Sequence, residues 1–192
     1  MSTEKRSGED ILTLHATALD VYGVGVLLVG ESGVGKSECA LELIERGQRL
    51  VADDMVRIEL KAGKILMARS ADEIIKHYIE IRGLGIINVK DIFGVGGVRN
   101  QKRIGMVVRL EKWRAEAEYE RLGLEEKTYT ILGVALPYLV IPVRPGRNIP
   151  LLIEVAALTQ RAKRMGLHPV KQIDKKILRK MGKEEEGLGE VF

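Results

Sequence analysis

The sequence has a single cysteine in 192 residues, Cys39, so it can form no internal disulfide. That excludes a disulfide scaffold and points to a reducing compartment. Aromatic residues make up only 4% of the chain, so base-stacking platforms for single-stranded nucleic acid are scarce. No apolar run reaches the ~20 residues that a membrane-spanning helix needs. The opening MSTEKRSGED lacks the apolar stretch of a secretory signal. Neither sign of charge dominates: 31 Lys+Arg against 27 Asp+Glu leave a formal +4, and the signs are interspersed rather than gathered in long runs. The expectation is a cytoplasmic protein that partners neither a membrane nor a nucleic acid.

Apolar residues at 45% and charged residues at 30% can build and solvate an ordinary core. There is no internal repeat and no low-complexity linker. The length suits one domain at the usual ~100–200 residues. Its expected extent is residues 11–168, between a disordered segment at 1–10 and a charged helix and tail at 169–192.

Strand-like runs cover Ile11 to His15, Leu19 to Tyr22, Val24 to Val29 and Arg49 to Ala52. Val56 to Leu60 and Lys64 to Ala68 flank Lys61-Ala62-Gly63, which suits a hairpin. Further strands are expected at Ile104 to Leu110, Lys127 to Leu132 and Tyr138 to Val143. Helical spacing covers Glu38 to Arg46, stopped by Gly47, and Pro150 to Met165, stopped by Gly166. Trp113 falls in a charged stretch of helical character. Gly83, Gly85, Gly94, Gly96 and Gly97 make the centre read as loop-rich. Hairpins outnumber βαβ units, so the expected fold class is α/β with a mixed sheet and flanking helices.

Gly30-Glu31-Ser32-Gly33-Val34-Gly35-Lys36-Ser37 satisfies G-x-x-x-x-G-K-S between a strand and a helix, the context this P-loop motif requires. Its glycines let backbone N–H groups wrap phosphate oxygens. The opening helix turns its positive end to the same anion. Lys36 suits the outer phosphates, and the Ser37 hydroxyl suits Mg²⁺. Nucleotide or pyrophosphate binding follows; a reaction does not.

Asp53 and Asp54 end a strand-like run. One carboxylate can accept the proton of an incoming hydroxyl while another holds Mg²⁺, or the pair is a solvated turn. Glu80 reads as a Mg²⁺ ligand or as an exposed strand residue paired with Arg82. His15, in an apolar segment, reads as a packed histidine or a catalyst. Arg144 and Arg147 flank a Pro-Gly turn that suits phosphate or is simply surface. Cys39 reads as a small packed side chain.

Together these segments resemble the C-terminal catalytic domain of the bacterial HPr kinase/phosphorylase. The resemblance runs from about His15 to Gly166. Its most specific pieces are Asp20-Val21-Tyr22-Gly23-Val24-Gly25-Val26, the phosphate loop through Glu38, and Arg49-Leu50-Val51-Ala52-Asp53-Asp54. Next comes Glu80-Ile81-Arg82-Gly83-Leu84-Gly85-Ile86-Ile87-Asn88-Val89, and then Val143-Arg144-Pro145-Gly146-Arg147-Asn148 with Ile153-Glu154-Val155-Ala156-Ala157 after it. Where the family usually has Gly after its His, this sequence has Ala16-Thr17. Only fourteen residues precede His15, where the family usually carries an N-terminal domain.

The resemblance implies a fold similar to the nucleotide-binding fold of phosphoenolpyruvate carboxykinase, and hexamers. It implies a bifunctional enzyme of carbon catabolite regulation. Such an enzyme phosphorylates a serine of the phosphocarrier HPr with ATP or pyrophosphate, and removes that phosphate by phosphorolysis. It makes Asp54 the general base, and the general acid in reverse. It gives Lys36 and the loop amides the β-phosphate, and makes Ser37 and Glu80 Mg²⁺ ligands. It counts His15 and Arg121 among the active-site residues, and assigns Pro142, Val143, Arg144, Pro145, Gly146 and Arg147 to the dephosphorylation loop. Two other readings stay open: a short homologue phosphorylating another protein or a small molecule, and an ATP-sensing module without transfer.

Overall fold

A computed structural model describes residues 10–114 and 127–167. The chain divides into two compact units, Met1–Gln160 and Arg161–Phe192. Within the second, the described residues form the last turn of a helix, closed by the Met165 N–H donating to Arg161 O and the Leu167 N–H to Ala162 O. Arg121 and the tail from Lys171 lie outside the described residues. Among those described, no helix is long and apolar enough to cross a membrane.

The first unit is a mixed sheet with helices against one face. Its elements are β1 (Ile11–His15), β2 (Thr17–Val21), β3 (Val24–Val29), α1 (Lys36–Glu45), β4 (Arg49–Ala52), β5 (Met55–Lys61) and β6 (Ile65–Ser70). They continue with β7 (Tyr78–Ile81), β8 (Gly85–Asn88), α2 (Val89–Phe93), β9 (Gln101–Lys112), β10 (Thr128–Ile131), β11 (Val134–Val143) and the part of α3 (Ile149–Arg164) up to Gln160. The main sheet runs β1-β5-β6-β9-β3-β2-β4, with β11 also paired to β9 and β10 to β11. β7 and β8 form a separate hairpin.

Strand direction decides where a ligand can sit. β9 is parallel to β3, and β11 is parallel to β9. β2 is antiparallel to both β3 and β4, so β4 also runs with β3. The carboxyl ends of β4, β3, β9 and β11 therefore open on one edge of the sheet, the edge where α/β folds bind ligands.

Period-two alternation splits the apolar residues between two cores. Val24, Val26 and Leu28 of β3 face the helices, and Leu27 faces the opposite core with Val56, Ile58 and Leu66. On α1 the buried residues are Lys36, Cys39, Ala40, Leu43 and Ile44, the spacing of a single helical stripe. Leu43 is fully buried, and truncating such a side chain costs about 2–5 kcal/mol. The Asn148 side chain accepts the Leu151 N–H at 3.0 Å, capping the start of α3. Cys39 is buried, as a packed small side chain should be, and burial with the nearby Glu42 and Glu38 charges pushes its thiol up to about 12.

Most expected elements are present, with three corrections. The glycine-rich centre holds an ordered hairpin, because Gly83 and Gly85, both at positive φ, sit at its turn. Trp113 does not stand in a helix: it follows β9, and its N–H donates to Val143 O at 3.1 Å. β11 starts at Val134, since Leu132 and Gly133, at φ 47° and 78°, close a two-residue turn from β10.

Candidate functional site

A cavity of about 140 Å³ opens on that carboxyl edge, lined by Ser32, Gly33, Gly35, Lys36, Ser37, Glu38, Asp53, Asp54, His15, Glu80 and Arg82. Six different elements and loops thus converge on one place.

The phosphate loop leaves the end of β3 and enters α1. Gly30 has φ 151°, and a Cβ there would lie 2.4 Å from Leu110 O, so no other residue fits between β3 and β9 at that point. Lys36 is 6% exposed, and its Nζ donates to Gly30 O at 3.1 Å and Glu31 O at 3.0 Å. The ammonium therefore braces the loop it serves. Burial lowers its pKa, against the opposing pull of the Asp53, Asp54 and Glu38 charges. Phosphate oxygens brought beside it favour the charged form.

The two aspartates take different environments. Asp53 Oδ1 accepts the Thr17 hydroxyl at 2.6 Å, and Oδ2 accepts the Ser37 hydroxyl at 2.9 Å. Burial pushes the Asp53 carboxyl upward; the Thr17 and Ser37 hydroxyls and the Asp54 N–H pull it down, and the Asp54 charge raises it. Asp54 lies at φ 65°, in the left-handed region, which turns its side chain outward. Its carboxylate meets His15 Nδ1 at 2.6 Å, and both side chains are at least half exposed.

Three consecutive residues at the junction of β1 and β2 grip this corner. His15 takes the Asp54 side chain, the Ala16 N–H donates to Asp54 O at 3.1 Å, and the Thr17 hydroxyl takes Asp53. The antiparallel register of β1 and β5, with His15 opposite Met55, delivers His15 there, and the pairing of β2 with β4, with Ala18 opposite Ala52, delivers Thr17. Ala16 keeps an ordinary negative φ, so the glycine usual at this point is not required by the backbone.

Glu80 and Arg82 alternate with Ile79 and Ile81 along β7 and its turn, so both face the cavity while the isoleucines are buried. The Arg82 guanidinium packs on the phosphate loop: a Cβ on Gly33 would lie 3.0 Å from its Nη1. In the sequence, Arg82 reads only as a partner for Glu80. The period of two that puts residues 80 and 82 on one face was the available signal. Asp53 lies outside the site residues that the resemblance implies, and its hydrogen bond from Ser37 brings it into the site.

The cavity is lined by the Ser37 hydroxyl and the carboxylates of Asp53 and Glu80, all hard oxygen groups of the kind Mg²⁺ takes. Among the described residues, no three His, Cys, Asp or Glu side chains cluster as a metal cage. The residues fit Mg²⁺.

The Pro142–Arg147 segment lies apart from this cavity. Val143, Gly146 and Arg147 line a second groove, which shares Gly35 and Glu38 with the first. The Arg147 Nη1 donates to Pro142 O at 3.4 Å, and the Arg144 guanidinium stands 4.9 Å over the Trp113 ring.

The family model described as the HPr Serine kinase C-terminal domain matches residues 9–177. The HPr kinase/phosphorylase of Caldanaerobacter subterraneus subsp. tengcongensis is 53% identical over 171 residues, 89% of this chain and 56% of that protein. That of Treponema pallidum (strain Nichols) is 52% identical over 170 residues, 88% of this chain and 53% of that protein. The chain thus spans about half the length of the curated relatives it matches. The solved structure of the Hpr(Ser) kinase/phosphatase from Coxiella burnetii superposes with a TM-score of 0.73 at 37% identity, over 81% of this chain and 93% of that one.

Proposed function

Because this chain belongs to the HPr serine kinase C-terminal domain family, we propose that it phosphorylates a serine of HPr with ATP or pyrophosphate and reverses that step by phosphorolysis. The observation that supports this most is the Asp54 carboxylate, held by His15 at the rim of the phosphate cavity.

In the forward direction the loop amides and Lys36 bind the donor phosphates. Ser37, Asp53 and Glu80 would hold Mg²⁺, which when bound would supply neutralisation of the phosphate charge. Asp54 accepts the serine proton as the serine oxygen bonds to the terminal phosphorus and the bridging P–O bond of the donor breaks. ADP or inorganic phosphate leaves. In reverse, an oxygen of inorganic phosphate attacks the phosphoserine phosphorus and forms pyrophosphate, while Asp54 returns the proton to the serine oxygen. Arg144 and Arg147 suit the phosphate of that direction, since guanidinium forks match its oxygens. Arg121 belongs to the same set by resemblance and spreads charge on the transferred group. His15 positions Asp54. The same reading carries a cytoplasmic homo-hexamer.

Incubation with HPr, Mg²⁺ and labelled ATP tests the reading. Label is expected on a serine of HPr, and phospho-HPr with inorganic phosphate is expected to release pyrophosphate. Asp54→Asn should lower transfer by about 10²–10⁴-fold while ADP binding persists. Undiminished transfer by that variant sinks the base assignment. Labelling of another acceptor in place of HPr sinks the substrate assignment.

A further inference from the structure

Thr17 is fully buried and does not line the phosphate cavity. Its hydroxyl reaches the cavity through another side chain, donating to Asp53 Oδ1 at 2.6 Å. We infer that Thr17 is a positioning residue for Mg²⁺, holding the Asp53 carboxylate in the orientation that turns Oδ2 to Ser37. The inference rests on the reading of Ser37, Asp53 and Glu80 as the Mg²⁺ site and names the residue that arranges it.

The two oxygens of Asp53 divide their partners. Oδ1 accepts from Thr17 on β2, and Oδ2 accepts from Ser37 on α1 at 2.9 Å. A carboxylate gripped at one oxygen cannot turn about its Cβ–Cγ bond without breaking that hydrogen bond. The Thr17 contact therefore sets where Oδ2 points. The Ser37 backbone is fixed in the first turn of α1, but a serine hydroxyl rotates to suit its neighbours. Asp53 is the acceptor that directs its proton. With that proton on Asp53, the lone pairs of the Ser37 oxygen are left for a cation.

Thr17 is well placed to be the fixed end of this chain. β2 is paired with β3 on one side and β4 on the other, and all five of its residues are buried. A β-branched side chain has few χ1 choices, so the strand itself aims the hydroxyl. A hydroxyl that merely satisfied its own burial could give way to a methyl group without effect on the ion. One that orients Asp53 could not, because its loss frees the carboxylate to swing away from Ser37. Partners of this kind, one step removed from the ion, typically change metal affinity 10–100-fold when mutated.

Calorimetric titration of Mg²⁺ into the ADP-bound whole chain, beside titration of ADP without the ion, tests this. Thr17→Val and Thr17→Ala both remove the hydroxyl, and Thr17→Ser keeps it. The two hydroxyl-free variants should need about 10–100-fold more Mg²⁺ for half-saturation, with ADP binding in the absence of the ion unchanged. Thr17→Ser should stay close to the unaltered chain. Circular dichroism checks that each variant folds, and one folded hydroxyl-free variant decides the matter. An unchanged Mg²⁺ midpoint in that variant, an equal loss of ion-free ADP binding, or a loss in Thr17→Ser as large as in Thr17→Val overturns the inference. So does failure of both hydroxyl-free variants to fold, which would make the hydroxyl a structural one. Absent Mg²⁺ binding by the unaltered ADP complex overturns the Mg²⁺ reading, and this inference with it.

Discussion

His15 Nδ1 stands 2.6 Å from Asp54 Oδ1, across a junction where β1 ends opposite the first residue of β5. The imidazole thereby fixes the carboxylate that the proposed reaction uses as base. Loss of that contact frees Asp54 to rotate, and a misplacement of ~1 Å costs about a hundredfold in rate. His15→Ala should lower HPr labelling by that order, with ADP binding kept. His15→Gln, which retains an N–H donor, should recover part of the loss. Labelling by His15→Ala at the unaltered rate would show that Asp54 needs no support.

Asp54 holds its outward aim at φ 65°, a conformation that costs L-residues free energy. Glycine adopts it freely. Asp54→Gly should therefore be more stable than Asp54→Ala by about 1 kcal/mol, although both lose transfer. Urea unfolding of the two variants measures the difference. Equal midpoints would mean that the corner relaxes without Asp54.

Gln48 and Glu154 are 4% and 6% exposed, and the Gln48 Nε2 donates to Glu154 Oε1 at 2.9 Å. The same glutamine accepts the Tyr22 N–H at 3.0 Å. α3 is thus tied to the turn between β2 and β3 through one buried amide. Glu154→Ala leaves that amide donor unpaired and should cost about 1–3 kcal/mol. Glu154→Gln keeps an acceptor and should cost less. A Glu154→Ala chain that unfolds at the unaltered urea midpoint would remove the tie from the account.

His77 precedes β7 at φ 74° and is 9% exposed. Burial lowers its pKa below 6.5, while its hydrogen bond to Asn100 opposes the shift. The sign follows from linkage: the unfolded chain binds this proton more readily, so stability is complete above pH ~6.5 and falls as pH drops below it. His77→Asn tolerates the same backbone and removes the titration. Thermal unfolding between pH 7.5 and 5.5 should show a slope in the unaltered chain that this variant flattens. Identical slopes would exclude His77 as the source.

Local signals made part of this molecule legible before its structure. The phosphate loop is contiguous and stands between a strand and a helix of clear period, so eight residues carry its meaning. The same holds for the Lys61-Ala62-Gly63 turn, where the sequence names its own geometry. The grip of His15, Ala16 and Thr17 on the aspartate corner is of another kind. It depends on pairing with a strand about forty residues away, and no local pattern encodes a register. Asp53 and Asp54 are chemically identical in the sequence. They become distinct only because one is half-buried against Ser37 and the other is turned outward by a left-handed φ. The groove beside α1 was illegible for a similar reason: its walls come from residues 34 to 42, from 110 and from 143 to 150.

β9 bonds to β3, β6 and β11, yet every residue lining the phosphate cavity lies before it, from His15 to Arg82. During synthesis, a chain that has emerged only through Asn100 already contains that whole cavity in its sequence. It still cannot hold it, because β3, the strand that launches the phosphate loop, has one neighbour and an open edge. Unpaired strand edges recruit other chains. That edge of β3 stays open until β9 has emerged through Lys112.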